Sequence, residues 1–169
     1  MINNFLELDE NLFNDNDELI ISYKASSTKK TIINVTHNLF INLEGIKEPC
    51  PTIEDHLLTL NAKFYLPTDD TQIPTGEIKK VDGTPFDFLT QRRIGERIDD
   101  NDPQLKYGDG YDHCFVVNKR NYGELSLAGK LVSPSTGRTM EIYTTEPGML
   151  MYTANSHNNF KAYHGVTII

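Results

Sequence analysis

The chain has 169 residues, enough for one domain with a single hydrophobic core. Its formal net charge of -8 and pI near 5.0 argue against a nucleic-acid-binding or membrane-binding surface. Cys50 and Cys114 form no CxxC pair, so the sequence predicts neither a zinc site nor a disulfide framework. No apolar run approaches the roughly eighteen residues of a membrane span, and the N-terminus is too acidic for a signal peptide. A cytoplasmic protein is therefore expected.

Residues 1–17 are rich in Asn and Asp, which predicts an acidic leader that is irregular or holds one short helix. From residue 18 the pattern changes to period two, and residues 18–169 are expected to form the folded domain. The predicted strands are ELIISYKA (18–25), KTIINVT (30–36), HLLTLNAKFYL (56–66), DHCFVV (112–117), GELSLAGKLV (123–132) and RTMEIYTT (138–145). Several short strands separated by turn residues favour an all-β sandwich or barrel.

The middle of the chain differs from the strand-rich segments on either side. Residues 66–88 are predicted to form a long ordered loop, because the prolines there fix φ and remove ladder donors. Residues 89–105 have room for one or two helical turns, which residues 99–103 are expected to end. Loops of this length in a compact β domain are usually binding loops or disordered segments.

Six motifs then occur in an order that is similar to that of a known family. They are YLPTD (65–69), IPTGEI (73–78), GTPFDF (83–88), YDH (111–113), STGRTMEIYTTEPG (135–148) and YTAN (152–155). From about residue 18 to residue 165 the chain resembles the galactose mutarotases, or aldose 1-epimerases. The resemblance implies an antiparallel β-sandwich, part of a larger supersandwich. It also implies interconversion of the α and β anomers of aldohexoses such as galactose or glucose, without a cofactor.

The implied reaction needs two proton transfers. A base removes the proton from the anomeric hydroxyl and an acid protonates the ring oxygen, after which the ring opens, the C1 carbonyl rotates and the ring closes. Each such group contributes typically about 10² to 10⁴ in rate. In the family the acid is a histidine in the motif N-x-T-N-H-x-Y-F-N-L-x-G, and the base is a glutamate just beyond a His-Gly segment near the C-terminus.

This sequence departs from the family motif at the acid. In NVTHNLFINLEG, residues 34–45, the family's asparagine falls on His37 and its catalytic histidine falls on Asn38. A local bulge would return His37 to the site, whereas Asn38 itself has no proton to give near neutral pH. His37 and Asn38 are therefore the candidate catalytic positions, and both alternatives stay open.

The second departure concerns the base. The segment KAYHGVTII, residues 161–169, ends just where the family's glutamate would follow, so we expect this chain to lack the base. The resemblance implies that Asp112 binds sugar hydroxyls and that Tyr152 lies near the sugar. Asp112 could instead be a turn residue, and Tyr152 could be a core residue. The other histidines have no partner at ligand spacing, so no metal is expected.

Three hypotheses follow from these observations. The chain is an aldose 1-epimerase family protein that interconverts anomers if it is active, a non-catalytic carbohydrate- or protein-binding β module, or a partial product with no independent role. Part of a large sandwich would leave strand edges and apolar surface uncovered. Self-association, or a partner chain that covers those edges, is therefore expected.

Overall fold

The structure is a computed structural model, and the residues that it describes are 4–11, 17–45, 49–155 and 163–168, with the backbone alone for 4–11. Contacts divide the chain into two compact units, Met1–His37 and Asn38–Ile169. The division of the sequence into a leader and a domain at residue 17 stays a prediction. Among the described residues, no helix is long and apolar enough to cross a membrane.

The first unit contains an antiparallel strand pair. Strand β1 (Asn4–Asn11) pairs with β2 (Ile20–Ser27), from Asn4 opposite Ser27 to Asn11 opposite Ile20. A strand thus replaces the irregular segment or short helix expected near the N-terminus. The expectation was wrong because pairing satisfies the backbone donors and acceptors, and such pairing overrides the weak strand propensity of Asn and Asp.

The second unit contains two antiparallel sheets. Its strands are β3 (Leu57–Leu60), β4 (Ala62–Leu66), β5 (Lys79–Lys80), β6 (Arg92–Arg93), β7 (Asp112–Val117), β8 (Ser126–Val132), β9 (Thr139–Thr144), β10 (Gly148–Tyr152) and β11 (Thr167–Ile168). The strand order is β11-β10-β7-β4-β5 in one sheet and β6-β3-β8-β9 in the other. Both sheets contribute to one buried hydrophobic cluster, as Leu58 and Leu131 do from one and Phe115 and Met149 from the other. The predicted all-β antiparallel sandwich is confirmed.

The chain passes from one sheet to the other at Asn61. This residue separates β3 from β4, which belong to different sheets. Its side-chain amide donates hydrogen bonds to the carbonyl oxygens of Leu127 in β8 (2.9 Å) and of Asn118 just after β7 (3.3 Å). Asn61 therefore ties the two sheets together where the run HLLTLNAKFYL changes sheet.

One predicted strand is missing from the first unit. Within the part of the chain that the structure describes, residues 30–36 form no strand. Ile32 is 97% exposed and Ile33 is 48% exposed. The hydrophobic pattern favoured a strand there, but the segment pairs with none of the described residues, and a strand needs a neighbour for its backbone hydrogen bonds.

The segment between β4 and β7 is largely an ordered loop that contains the short strands β5 and β6 and one short α-helix. A 3-10 helix at Ile94–Glu96 supplies a helical turn within residues 89–105, where the sequence predicted one or two. Asp69 accepts hydrogen bonds from the backbone N–H groups of Thr71 (2.9 Å) and Ile73 (3.1 Å), which orders the loop tip. Helix α1 (Pro103–Gly108) begins where the sequence predicted that a helix would end. The reason is that the Asp102 carboxylate caps the helix by accepting from the Gln104 N–H, and a proline is well suited to the first helical position.

A histidine lies in the aromatic part of the core. His113 is 1% exposed, and its ring contacts Phe86 edge to face at 4.6 Å between centroids and Tyr65 at 6.0 Å. Burial lowers the pKa of His113 to about 4. The imidazole is therefore neutral at neutral pH, and charging it inside the folded domain is unfavourable.

We expect the free energy of unfolding to fall as the pH is lowered from 6.5 towards 4. The unfolded chain takes up a proton on His113 near the ordinary pKa of 6.5, whereas the folded chain does so only near about 4. This difference in pKa corresponds to about 3 kcal/mol of unfolding free energy. The contribution is present above pH 6.5 and is lost as the pH falls through the folded pKa. Urea unfolding of the unmodified chain and of His113→Gln across this range measures it. The variant should show the shallower pH dependence, and equal slopes would contradict the assignment.

Candidate functional site

Three neighbouring strands bring side chains from distant parts of the chain into one row. Tyr152 on β10 pairs with Asp112 on β7 at one side and with Thr167 on β11 at the other. Residues paired across antiparallel strands have their side chains on the same face of the sheet. Asp112, Tyr152 and Thr167 therefore share a face, while their chain neighbours His113 and Met151 are buried on the opposite, core-facing side.

Asn38 extends this row beyond β11. The Thr167 hydroxyl donates a hydrogen bond to the side-chain oxygen of Asn38 at 3.2 Å. Ile41 and Val166 exchange two backbone hydrogen bonds of 2.9 and 3.0 Å, which hold the segment after Asn38 beside β11. Because the Asn38 oxygen accepts from Thr167, the amide N–H groups remain as the donors of this exposed side chain.

Asn42 explains why the segment after Asn38 runs beside β11. Its amide nitrogen donates to the carbonyl oxygens of Pro51 (2.8 Å) and His164 (3.1 Å). The second bond joins the middle of the NVTHNLFINLEG motif to the residues just before β11. Asn42, which matches an asparagine of the family motif, therefore has a structural role: its hydrogen bonds place Asn38 beside β11.

His37 has its described contacts within the first unit. Its Nδ1 atom lies 2.7 Å from the Tyr23 hydroxyl, and the two rings are stacked with centroids 6.3 Å apart. Burial lowers the pKa of His37. The Tyr23 hydroxyl can donate to a neutral imidazole at Nδ1, which leaves the proton of His37 on Nε2.

Asp112 is half-buried at the start of β7. Burial raises the pKa of its carboxyl group above the ordinary value. The end of α1 lies close by, since a Cβ atom placed on Gly108 would come within 3.4 Å of the Asp112 Cβ. An ionised carboxylate has lone pairs enough to accept hydrogen bonds from two hydroxyl groups of a ligand.

Tyr152 has an aromatic neighbour from the segment that carries Asn38. The rings of Tyr152 and Phe40 meet edge to face, with centroids 6.1 Å apart and an interplanar angle of 66°. Phe40 in turn lies against Gly165, where a Cβ atom would come within 3.1 Å of the Phe40 Cβ. A larger residue at position 165 would displace Phe40, and with it the support of Tyr152.

The structure thus brings together three of the four residues that the sequence singled out: Asn38, Asp112 and Tyr152. Sequence reasoning missed Thr167 and Phe40, which hold Asn38 and Tyr152. The apolar alternation of HGVTII is a strand signal, but the identity of the neighbouring strand is not a local property. Within residues 17–45, 49–155 and 163–168, no group of three or more His, Cys, Asp or Glu side chains is arranged to hold a metal ion.

Comparison with known proteins identifies the family of the chain. The human galactose mutarotase is 36% identical over 141 residues, which cover 83% of this chain and 39% of that protein. The aldose 1-epimerase of Escherichia coli K12 is 31% identical over the same shares. The chain therefore spans about two fifths of the length of these curated relatives.

Solved structures agree with the sequence matches. A galactose 1-epimerase from Lactobacillus acidophilus superposes with a TM-score of 0.61 and 33% identity, over 69% of this chain and 35% of that one. A GalM/aldose epimerase homologue from C. elegans superposes with a TM-score of 0.75 over 98% of this chain and 49% of that one. At 24% identity the second match shows the fold alone. The aldose 1-epimerase family model matches residues 11–169, and the chain belongs to that family.

Proposed function

We propose that this chain binds the pyranose ring of an aldohexose, such as galactose or glucose, against Asn38, Tyr152 and Asp112, with the buried Thr167 holding the Asn38 side chain. The observation that carries the proposal is the strand register, which places Asp112 and Tyr152 side by side on an outer face of the sheet. Relatives named as galactose mutarotases support the class of ligand. The protein is proposed to work in the cytoplasm and without a cofactor.

The chemistry of the row suits a sugar. The Asp112 carboxylate accepts hydrogen bonds from two vicinal hydroxyls, and the Asn38 amide donates to a sugar oxygen. The Tyr152 ring offers an apolar surface to the C–H face of a pyranose. Acceptor, donor and aromatic surface are thus available within one row, which is the small set of polar groups that orients a ligand.

Anomer interconversion is a separate question from binding. The family's acid position is Asn38, which has no proton to transfer to the ring oxygen near neutral pH. We therefore propose that residue 38 binds the sugar without catalysing ring opening. The alternative is an active epimerase in which His37 supplies the proton, and the Nε2 proton left by its contact with Tyr23 favours that alternative.

We further propose that a second copy of the chain covers part of the four-stranded sheet. Strand β9 lies at one edge of this sheet in the described structure. Beside it is an exposed apolar patch made of Leu125 (66% exposed), Leu127 (38%) and Tyr143 (53%). An edge strand next to exposed apolar side chains is a template for pairing with another strand.

Galactose binding should depend on Asp112. We expect a millimolar dissociation constant at neutral pH and a weakening of about 10- to 100-fold in Asp112→Asn, because charge-assisted hydrogen bonds are lost. Burial raises the Asp112 pKa, so affinity should also fall on acidification before an ordinary aspartate would protonate. Titration followed by NMR measures both effects. Asp82→Asn is the matched control, since Asp82 is exposed on a turn away from the row. Unchanged affinity in Asp112→Asn would remove Asp112 from the site.

Polarimetry of freshly dissolved α-D-galactose separates binding from catalysis. With the folded chain present, the rotation should relax at the rate seen in buffer, because Asn38 cannot protonate the ring oxygen. Acceleration that disappears in His37→Ala would show instead that His37 is the acid. Circular dichroism of each sample confirms that a folded β domain was tested.

Self-association should be visible by size-exclusion chromatography with light scattering. The chain has a mass of 19.2 kDa, and we expect a larger mass that increases with concentration. Leu125→Lys should shift the equilibrium towards the monomer by placing a charge in the patch. Ile73→Lys is the matched control, since Ile73 is 61% exposed but lies in the loop after β4. A monomer at all concentrations would refute pairing between copies.

A further inference from the structure

A chain of hydrogen bonds connects Asp112 to the loop that follows β4. The backbone N–H of Asp112 donates to Nδ1 of His113 at 3.2 Å. The other ring nitrogen of His113, Nε2, lies 3.2 Å from the side-chain oxygen of Gln104 on α1. Both bonds lie next to the candidate sugar-binding carboxylate, yet neither His113 nor Gln104 belongs to the row.

Gln104 is itself joined to the loop by two bonds. Its side-chain oxygen accepts from the Thr68 N–H at 2.7 Å, and its side-chain nitrogen donates to the Thr68 carbonyl at 2.8 Å. One amide group thus pairs with both backbone groups of one residue, as a neighbouring strand would. The N-terminal cap of α1, in which Asp102 accepts from the Gln104 N–H at 2.8 Å, holds Gln104 in place.

The loop that Gln104 holds is closed on itself. Thr68 and Pro74 form an antiparallel bridge, and the Gln72 side chain donates to the Tyr107 carbonyl near the end of α1 at 2.8 Å. Residues 67–75 are therefore fixed to α1 at two points. This segment, the β4 loop, is part of residues 66–88, which the sequence predicted to be a long ordered loop.

The direction of each hydrogen bond determines where the His113 proton lies. A backbone N–H can only donate, so Nδ1 of His113 accepts from Asp112 and carries no proton. The single proton of the neutral ring is then on Nε2, which donates to the Gln104 oxygen. The Gln104 oxygen has two lone pairs, one for His113 and one for Thr68. The neutral state that burial imposes on His113 is the state that this arrangement requires.

We propose that His113 and Gln104 are positioning residues that hold the backbone of Asp112 and link it to the β4 loop. A carboxylate whose backbone is held by a buried partner meets the sugar in one preset geometry, so less freedom is lost on binding. The inference rests on the proposed sugar-binding role of Asp112 and assigns a task to two residues that do not touch the sugar.

Gln104→Met tests the link, because methionine is similar in length and makes none of the three hydrogen bonds of the Gln104 amide. We expect galactose to bind about 3- to 10-fold more weakly, as for the loss of about one hydrogen bond. Gln91→Met is the matched control, since Gln91 is exposed, and its affinity should equal that of the unmodified chain. Equal affinity of Gln104→Met and the unmodified chain would overturn the positioning role.

A spectroscopic measurement on the unmodified protein makes the test independent of how well the variant folds. In ¹⁵N spectra of histidine-labelled protein near neutral pH, His113 should be the neutral form protonated on Nε2, and its ring signals should shift when galactose is added. A proton on Nδ1, or ring signals that galactose leaves unmoved, would overturn the inference. If the unmodified chain binds no galactose, the proposed function fails and the positioning role fails with it. If the unmodified chain binds galactose and Gln104→Met binds it equally well, only the positioning role is refuted.

Discussion

The pairing of β10 with β7 on one side and β11 on the other is the constraint on which the site depends. The register aligns Asp112, Tyr152 and Thr167, which are separated by 40 and 15 positions in the sequence. A shift of the register by one residue would exchange every side chain between the core and the outer face. Asn38 then joins the row through Thr167, so its place also depends on this pairing.

Strand β7 contributes side chains to both the hydrophobic core and the candidate site. Along β7, His113, Phe115 and Val117 are buried while Asp112 and Cys114 are half-buried on the other face. The aromatic packing around His113 holds β7 in place. The hydrogen bond from the Asp112 N–H to His113 holds the backbone of the site residue Asp112 as well. Close-packed interiors allow little displacement, so a site built on such a strand has little freedom to move.

In the proposed function, the asparagine at residue 38 binds the sugar and transfers no proton to it. Members of one family share a fold, while the groups that transfer protons are individual side chains placed on it. In this chain the outer row keeps a carboxylate and an aromatic ring, and Asn38 contributes a neutral amide. A neutral amide can orient a sugar oxygen but cannot change its protonation. This distinction gives the proposed sugar-binding role a chemical basis that does not depend on turnover.

The sequence by itself determined the fold class, the family and the strands β3, β4, β7, β8 and β9 of the two large sheets, but not β5, β6, β10 or β11. Alternating residues in segments such as DHCFVV carry that information locally, because one face of each strand is buried. It also led to Asp112, Tyr152 and the exchanged pair His37 and Asn38, through motifs that resemble those of the family. The fold class needed only the periodicity of the residues, whereas the family and the candidate site residues came from the resemblance to aldose 1-epimerase motifs.

Only the tertiary structure decided which strands are neighbours and which side chains meet. Strand β1 forms because it pairs with β2, and residues 30–36 form no strand because they pair with no described neighbour. Helix α1 starts at Pro103 because Asp102 caps it. The links from Thr167 to Asn38 and from Gln104 to Thr68 join positions far apart in sequence. Backbone and side-chain donors are satisfied by whichever acceptor folding brings near, and local sequence does not specify that acceptor.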